Sequence, residues 1–345
     1  MKFMDLSNLE KIFKTEPAYR LKQAKQAVFR DLISNWQETM VLPAVLREEL
    51  NQKCPLEIKG EVFASKTGDS LKAIISLRDG LKIESVLMKH ADGRNTVCVS
   101  SQVGCPLGCS FCATGKLGWK RNLEPIEIAE QALFFSRHLK EKGEKVSNVV
   151  FMGMGEPFLN YENVLAAIKI LNDKDGFNLG GRHLSISTVG IIEGIKKLAE
   201  EKLEINLAIS LHAPNDELRS RLMPINKKYP LKKVLTAVDE YLKKTRRRVM
   251  FEYIMIKGVN DSEAQAEELA KLMKKPLYFI NLISYNPARI GFDNPTGVFT
   301  PSSPAAIKRF RQVLEKRGVA VTQRHRFGED IDAACGQLVY RRKQQ

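Results

Sequence analysis

The chain reads as an α/β protein built on an open, partial (β/α)6 barrel of the TIM type, preceded by a small helical domain and an antiparallel β meander. Three observations carry that reading. Residues 56–88 alternate apolar and polar side chains with period two and are broken by Thr67-Gly-Asp-Ser and Arg78-Asp-Gly, the pattern of half-buried antiparallel strands joined by tight turns. From Arg94 onward short apolar runs alternate with longer stretches of helical period, as βα units around a parallel sheet do. These repeats number six, short of the eight that close a full barrel.

At the N-terminus Leu6, Leu9, Ile12 and Phe13 recur at helical spacing, and 18–35 comes next with Leu21, Ala24, Ala27, Val28 and Leu32 on one side. Pro43 opens a third helix over 44–50 at its first position. A cap of this size buries little alone and is expected to pack on the larger domain C-terminal to it. Cys54 matches no motif and reads as structural. The meander's strands are 57–65, 71–77 and 81–88. Glu84 lies in the third, where its neighbours alone make it a solvent-facing strand carboxylate. The parallel strands are expected at 96–100, 147–152, 183–187, 205–210, 249–256, 278–283 and 320–324. Helices separate them at 125–141, 161–171, 191–201, 231–244, 262–274 and 304–316. The chain so divides into a helical accessory domain (1–55), a β extension (56–93), the barrel (94–340) and a basic tail (341–345).

Of the 345 residues, 43% are hydrophobic and 28% charged, which is ordinary for a globular chain. No run approaches the roughly eighteen apolar residues of a membrane span, and no charged-then-apolar signal pattern opens the chain. With six cysteines and no secretion signal, a reducing, cytoplasmic setting is expected and a disulfide staple is not. The net charge of +15 exceeds what solubility requires and suits a polyanionic partner. Basic residues that could meet one are Lys116, Lys120, Arg121, Arg246, Arg247, Arg248, Arg324 and Arg326.

Cys105, Cys109 and Cys112 stand at x3 and x2 spacing in a tight loop straight after the first barrel strand. Thiolates are the ligands of iron–sulfur clusters, which normally take four; three would leave one iron open to a substrate. A structural zinc site with Cys98 as the fourth ligand and a set of unrelated buried or redox thiols remain alternatives. The spacing departs from the paired C-x2-C arms of zinc ribbons and favours the cluster.

Reactive residues of barrel folds collect where strands end at the C-terminal face, and unusual residues recur there. Gly153-Met-Gly-Glu156-Pro157 comes after strand two; Gly155 permits close approach of a ligand to backbone, and Glu156 can accept from an ammonium, although a plain glycine turn would look the same. Ser187 ends strand three, Ser210, Leu211 and His212 end strand four, and Asn286 lies past strand six. Each singly fits a loop polar group or a helix cap; together they outline one pocket rim. His212 has no histidine neighbour in sequence, which favours a hydrogen-bonding role over a metal-binding one. Cys335, in Asp332-Ala-Ala-Cys-Gly-Gln, is by default a buried, idle thiol.

The cysteine motif, Ser100-Ser-Gln-Val-Gly-Cys before it, Gly153-Met-Gly-Glu-Pro157, Ser210-Leu-His-Ala-Pro-Asn-Asp216, Met223-Pro-Ile-Asn226 and Asp330-Ile-Asp-Ala-Ala-Cys-Gly-Gln337 resemble the RlmN/Cfr family of radical S-adenosylmethionine (SAM) RNA methyltransferases. The resemblance runs from roughly residue 15 to residue 340. It implies a partial barrel, a [4Fe-4S] cluster on Cys105, Cys109 and Cys112, and two SAM molecules per turnover. SAM would contact Gly155, Glu156, Ser187, Ser210, Leu211, His212 and Asn286. The expected substrate is an adenosine of 23S ribosomal RNA at the peptidyl transferase centre, with tRNA as a second. A flavodoxin or ferredoxin would supply electrons to a monomeric enzyme.

The same resemblance implies the chemistry. The C2 and C8 carbons of adenine are electrophilic and cannot take a methyl from SAM directly. Cys335 would be methylated first, hydrogen abstraction by a 5′-deoxyadenosyl radical would activate that methyl, and its carbon would join the base as a protein–RNA crosslink. Cys98 would then attack Cys335, forming a disulfide and releasing product, while Glu84 accepts the ring proton. Such exchange requires an accessible thiolate near its partner sulfur, so Cys98 and Cys335 are expected to meet beside the cluster. Pro157 leans towards C2, the RlmN outcome, over C8. A zinc or redox RNA-binding protein without methyl transfer is the alternative from another class.

Overall fold

The computed structural model describes residues 3–273, 275–287 and 299–338; the tail expected over 341–345 lies outside them. In chain order the elements are α1 (Leu9–Ile12), α2 (Ala18–Phe29), α3 (Ala44–Lys53), β1 (Gly60–Ala64), β2 (Ser70–Ser76), β3 (Lys82–Lys89), β4 (Asn95–Cys98), β5 (Gln102–Gly104), α4 (Ala113–Lys116), β6 (Trp119–Asn122), α5 (Pro125–Lys140) and β7 (Asn148–Phe151). After these come α6 (Tyr161–Asn172), β8 (Leu184–Thr188), α7 (Ile192–Glu200), β9 (Asn206–Ser210), α8 (Asp216–Leu222), α9 (Leu231–Thr245), β10 (Val249–Met255), α10 (Glu263–Met273), β11 (Tyr278–Ser284), α11 (Pro304–Lys316) and β12 (Val321–Gln323).

One ten-stranded sheet runs β1-β2-β3-β4-β7-β8-β9-β10-β11-β12. It is parallel from β4 to β12 and antiparallel from β1 to β4. The meander is therefore not a separate layer: Val86 of β3 pairs with Cys98 of β4, so the antiparallel strands extend the barrel's first edge. Its inner strands are buried accordingly, with six of the seven residues of β2 and six of the eight of β3 inaccessible, while the edge strand β1 is exposed throughout. Apart from the exposed edge strand β12, the parallel strands are mostly apolar on both faces, because helices cover one side and the barrel interior fills the other.

The sequence sets the helix boundaries. Glu124 and Glu127 form a capping box around Pro125 at the head of α5, and Ser303 accepts from the Ala306 N–H ahead of Pro304 in α11. The second helix ends at Phe29, earlier than the periodicity suggested, because Asn35 and Glu38 cap a short 3-10 turn. That turn carries Trp36, fully buried, whose indole N–H donates to the Cys54 carbonyl at 2.6 Å. Trp36, Leu50, Val28 and Phe13 gather around Leu133 of α5, and Arg137 of the same helix donates to the Leu56 carbonyl at 2.8 Å. The cap thus packs on the barrel's first helix.

Four elements, β5, α4, β6 and α8, escape periodicity. The β5–β6 hairpin is too short for a two-residue repeat to register, and α8 lies inside a motif dominated by its loop residues. None of the described helices is long and apolar enough to cross a membrane.

Candidate active site at the barrel mouth

The loop between β5 and β6 carries the three motif cysteines. Gly104, at φ +77°, faces Gly118 so closely that an added Cβ would lie 1.9 Å from the Gly118 carbonyl, and the Cys105 N–H donates to that carbonyl at 2.9 Å. The loop is held from elsewhere as well. Ser110 N–H reaches Leu222 O at 2.9 Å, Ala113 N–H reaches Gly336 O at 2.7 Å, and Thr114 Oγ1 donates to Leu338 O at 2.7 Å. The segment after β12 therefore returns across the mouth and lies directly on the cysteine loop, bringing Cys335 with it.

Cys105, Cys109, Cys112 and Cys335 line one cleft with Gly155, Glu156, Ser187, Ser210 and His212. A neighbouring cavity is lined by Cys98, Cys335, Asn286, Arg324 and Arg326. Cys335 and Arg324 border both. Of the expected site residues, Leu211 and Glu84 line neither. Leu211 is fully buried and donates its N–H to Glu252 O at 3.0 Å; Asn286 faces the second cavity rather than the first, with its Oδ1 lacking a partner among the described residues. Glu84 is 1% exposed, which overturns the solvent-facing reading. It lies 3.4 Å from Lys72 Nζ, and that ammonium is 3.5 Å from the Asp332 carbonyl in the Cys335 loop.

Burial disfavours thiolates throughout this site. It pushes Cys98 and Cys105 up to about 12 and Cys109 higher still. Cys335 is raised by the same cause, while the Arg324 cation pulls it back down. Arg324 is itself held in its charged form, first by Cys335 and then by Glu252; its Nη1 is 3.4 Å from Glu252 Oε1. Glu252 is fixed by the Ser187 hydroxyl, which donates at 2.8 Å. Sequence reasoning missed Glu252, although a carboxylate inside the apolar strand Val-Met-Phe-Glu-Tyr was a visible signal.

Glu156 accepts from Phe158 N–H at 3.0 Å and Val189 N–H at 2.9 Å, yet burial raises its pKa to about 7. Its own N–H donates to Gln102 Oε1 at 2.9 Å, tying this loop to β5. His212 sits in the left-handed region at φ +60°, where its Nδ1 accepts from Ile254 N–H at 3.1 Å. Burial lowers its pKa to about 3, so it stays neutral and supports the rim by hydrogen bonding. Arg219, fully buried, donates to the carbonyls of Leu211, Ser210, Val189 and Tyr229 and to Asn226 Oδ1. The two motifs around His212 and Asn226 thus converge on one guanidinium that braces three loop ends.

Five of the eight basic residues that could meet a polyanion have particular placements. Arg324 is inside the site. Arg121 is held by Glu127 and Asp79. Arg246, Arg247 and Arg248 precede β10, so they lie at the sheet end opposite the residues that come after the strands.

Among the described residues no three His, Cys, Asp or Glu side chains are arranged to hold a single metal ion. Cys105, Cys109 and Cys112 line one cleft, and three thiols on one cleft suit an iron–sulfur cluster, whose irons take thiolate ligands.

A family model described as the radical SAM superfamily matches residues 99–272. The chain is 45% identical, over 94% of its length and 91% of the relative's, to "Probable dual-specificity RNA methyltransferase RlmN" of Dictyoglomus thermophilum. It is 44% identical, over 96% of its length and 90% of the relative's, to the protein of that name in Bacillus licheniformis. The crystal structure of a radical SAM methyltransferase from Sphaerobacter thermophilus superposes with a TM-score of 0.90 at 43% identity, covering 97% of each chain.

Proposed function

The chain belongs to the radical SAM superfamily and, within it, to the RlmN RNA methyltransferases, and on that footing we propose that it methylates C2 of an adenosine in 23S ribosomal RNA and in tRNA, through a methyl-carrying Cys335 resolved by Cys98. The observation that supports this most is the double membership of Cys335: it borders the cleft of the three motif cysteines and the cavity of Cys98. A carbon carrier has to visit both a SAM-binding site and a resolving thiol, and this residue borders both spaces.

A [4Fe-4S] cluster on Cys105, Cys109 and Cys112, when bound, supplies the electron that splits SAM and makes hydrogen abstraction from a methyl group possible. Gly155 and Glu156 would take SAM's amino group, and burial makes the Glu156 carboxylate eager for a cation. Ser187, Ser210 and His212 line the same cleft and suit the rest of the molecule; Leu211 would contribute backbone only, and Asn286 would reach SAM from the second cavity. Cys335 must lose its proton to displace a methyl from SAM, and the Arg324 cation favours that loss. In resolution the Cys98 thiolate attacks the Cys335 sulfur, the bond from Cys335 to the methylene carbon breaks with its electron pair passing to that carbon, which takes up a proton to become the methyl group, and a disulfide remains. Glu84 is proposed to accept the C2 proton; its link through Lys72 to the Asp332 carbonyl supports that role. The reductant would be a flavodoxin or ferredoxin and the setting the cytoplasm.

Mass spectrometry of the adenosine formed in vitro tests the regiochemistry: 2-methyladenosine is expected, and 8-methyladenosine would move the protein to the Cfr outcome. Anaerobically prepared protein should carry iron and sulfide, and zinc in their place would overturn the radical reading.

A further inference from the structure

We propose that the β5–β6 hairpin is an RNA-docking element in which Trp119 stacks on an unpaired nucleotide next to the target adenosine while Lys116 and Lys120 meet its phosphates. The inference rests on the proposed RNA methyltransferase activity and adds a surface that this activity does not itself assign.

Residues 116–120 are exposed without a break. Trp119 shows 49% of its surface and Leu117 41%. Beside them Leu159 is also 41% exposed, and its carbonyl accepts from Asn122 of β6 at 3.4 Å. A large aromatic left in water on a hairpin does nothing for the core, and an apolar patch of this kind marks a contact surface. The hairpin is rigid where it matters: Trp119 pairs with Gly104, and the adjoining Gly118 carbonyl holds the Cys105 N–H at 2.9 Å. Whatever stacks on Trp119 is therefore positioned relative to the first motif cysteine.

Charge selects the occupant. Among the described residues neither Lys116 nor Lys120 has an acidic partner, whereas the adjacent Arg121 is committed to Glu127 and Asp79. An exposed aromatic ring flanked in sequence by two uncommitted lysines is a pattern that suits single-stranded nucleic acid, base on ring and phosphate on cation. The reaction needs an unstacked base, and an unpaired loop offers its neighbours for stacking.

The protein contains two tryptophans. Trp36 is fully buried in the N-terminal cluster, so fluorescence changes on adding RNA report Trp119. Anaerobic holoenzyme would be titrated with an RNA stem–loop carrying an adenosine in its loop, and with the same segment closed into a duplex. The stem–loop should quench emission and the duplex should not. Trp119→Ala should weaken stem–loop affinity about tenfold, the scale of one lost stack, Trp119→Phe should keep most of it, and Lys116→Ala with Lys120→Ala should flatten the salt dependence. Unchanged affinity in Trp119→Ala would overturn the proposal. So would normal RNA binding and normal methylation with dithionite combined with failure only when an acidic flavoprotein supplies electrons, which would assign the patch to the reductant. If the wild type methylates no RNA, the proposed function falls; if Trp119→Ala methylates RNA as well as the wild type, only the hairpin's role falls.

Discussion

Removing the Arg324 guanidinium tests how the two clefts are joined. Arg324→Met keeps the bulk of the side chain and deletes its charge, leaving Glu252, 5% exposed, with the Ser187 hydroxyl as a remaining partner. Breaking one side of a buried ion pair costs about 3–5 kcal/mol because the survivor is buried uncompensated. The contact here is a single 3.4 Å approach and the arginine side chain is 19% exposed, so the lower end, about 3 kcal/mol, is expected. That is large against a total stability of about 5–15 kcal/mol yet leaves the protein folded. Glu252→Gln together with Arg324→Met removes both charges and should recover part of the loss. Urea unfolding of the two single variants and the double variant measures the coupling. The thiols give a second readout. Arg324 lowers the pKa values of both Cys98 and Cys335, so its loss shrinks the thiolate fraction, and alkylation by iodoacetamide at pH 8 should slow. Strictly additive stabilities with unchanged alkylation would refute the idea that this pair sets the environment of the two cysteines.

Three further outcomes are expected. Cys335→Ala should abolish turnover, while Cys98→Ala should accumulate protein covalently joined to RNA, visible as a shifted band on a denaturing gel; freely released product from Cys98→Ala would remove its resolving role. Gly155→Ala places a Cβ 2.6 Å from Gln102 Cβ at a φ of +99°, where backbone strain alone costs about 1–3 kcal/mol, so SAM affinity by calorimetry should fall at least about tenfold with the fold retained. Glu130 is raised to about 8, first by burial and then by Glu127. Its folded pKa lies above the unfolded one, so the stability it allows is full below about pH 4.5 and is lost as pH rises to about 8. Glu130→Gln should therefore stabilise the protein at pH 8 relative to wild type and make little difference at pH 4, as followed by urea midpoints.

How much the sequence disclosed is a matter of repetition. The parallel strands and their helices repeat apolar residues over enough positions to declare their period, and α11 was legible to the residue because Ser303, Pro304 and Gly318 punctuate it. Glu84 was misplaced because a two-residue period says which residues share a face, not whether both faces are covered. Joining β3 to β4 placed it inside. The arginines before β10 were misplaced for a related reason: composition records that a cation stands beside a strand, while only strand direction says at which end. Glu252 and Arg324 lie 72 residues apart, and no local pattern pairs them.

The return of the chain after β12 is the feature on which the chemistry turns, and it was readable only through motif resemblance. Nothing periodic in 324–338 says that Gly336 will accept from Ala113. The contact depends on small residues: Gly336 sits at φ +82°, and an added Cβ would come within 3.5 Å of the Phe111 carbonyl and 4.0 Å of Cys112 Cα. A side chain there would be strained by the left-handed backbone, with its Cβ in ordinary van der Waals contact with the cysteine loop. Gly336→Val should accordingly lift Cys335 away from the motif cysteines without disturbing the strands. Such a variant should still carry iron and bind SAM, because Cys105, Cys109, Cys112 and Glu156 are untouched, but should fail to methylate Cys335, which mass spectrometry of the intact protein would reveal. Normal methylation of Cys335 in Gly336→Val would mean that this close packing does not position the carrier thiol.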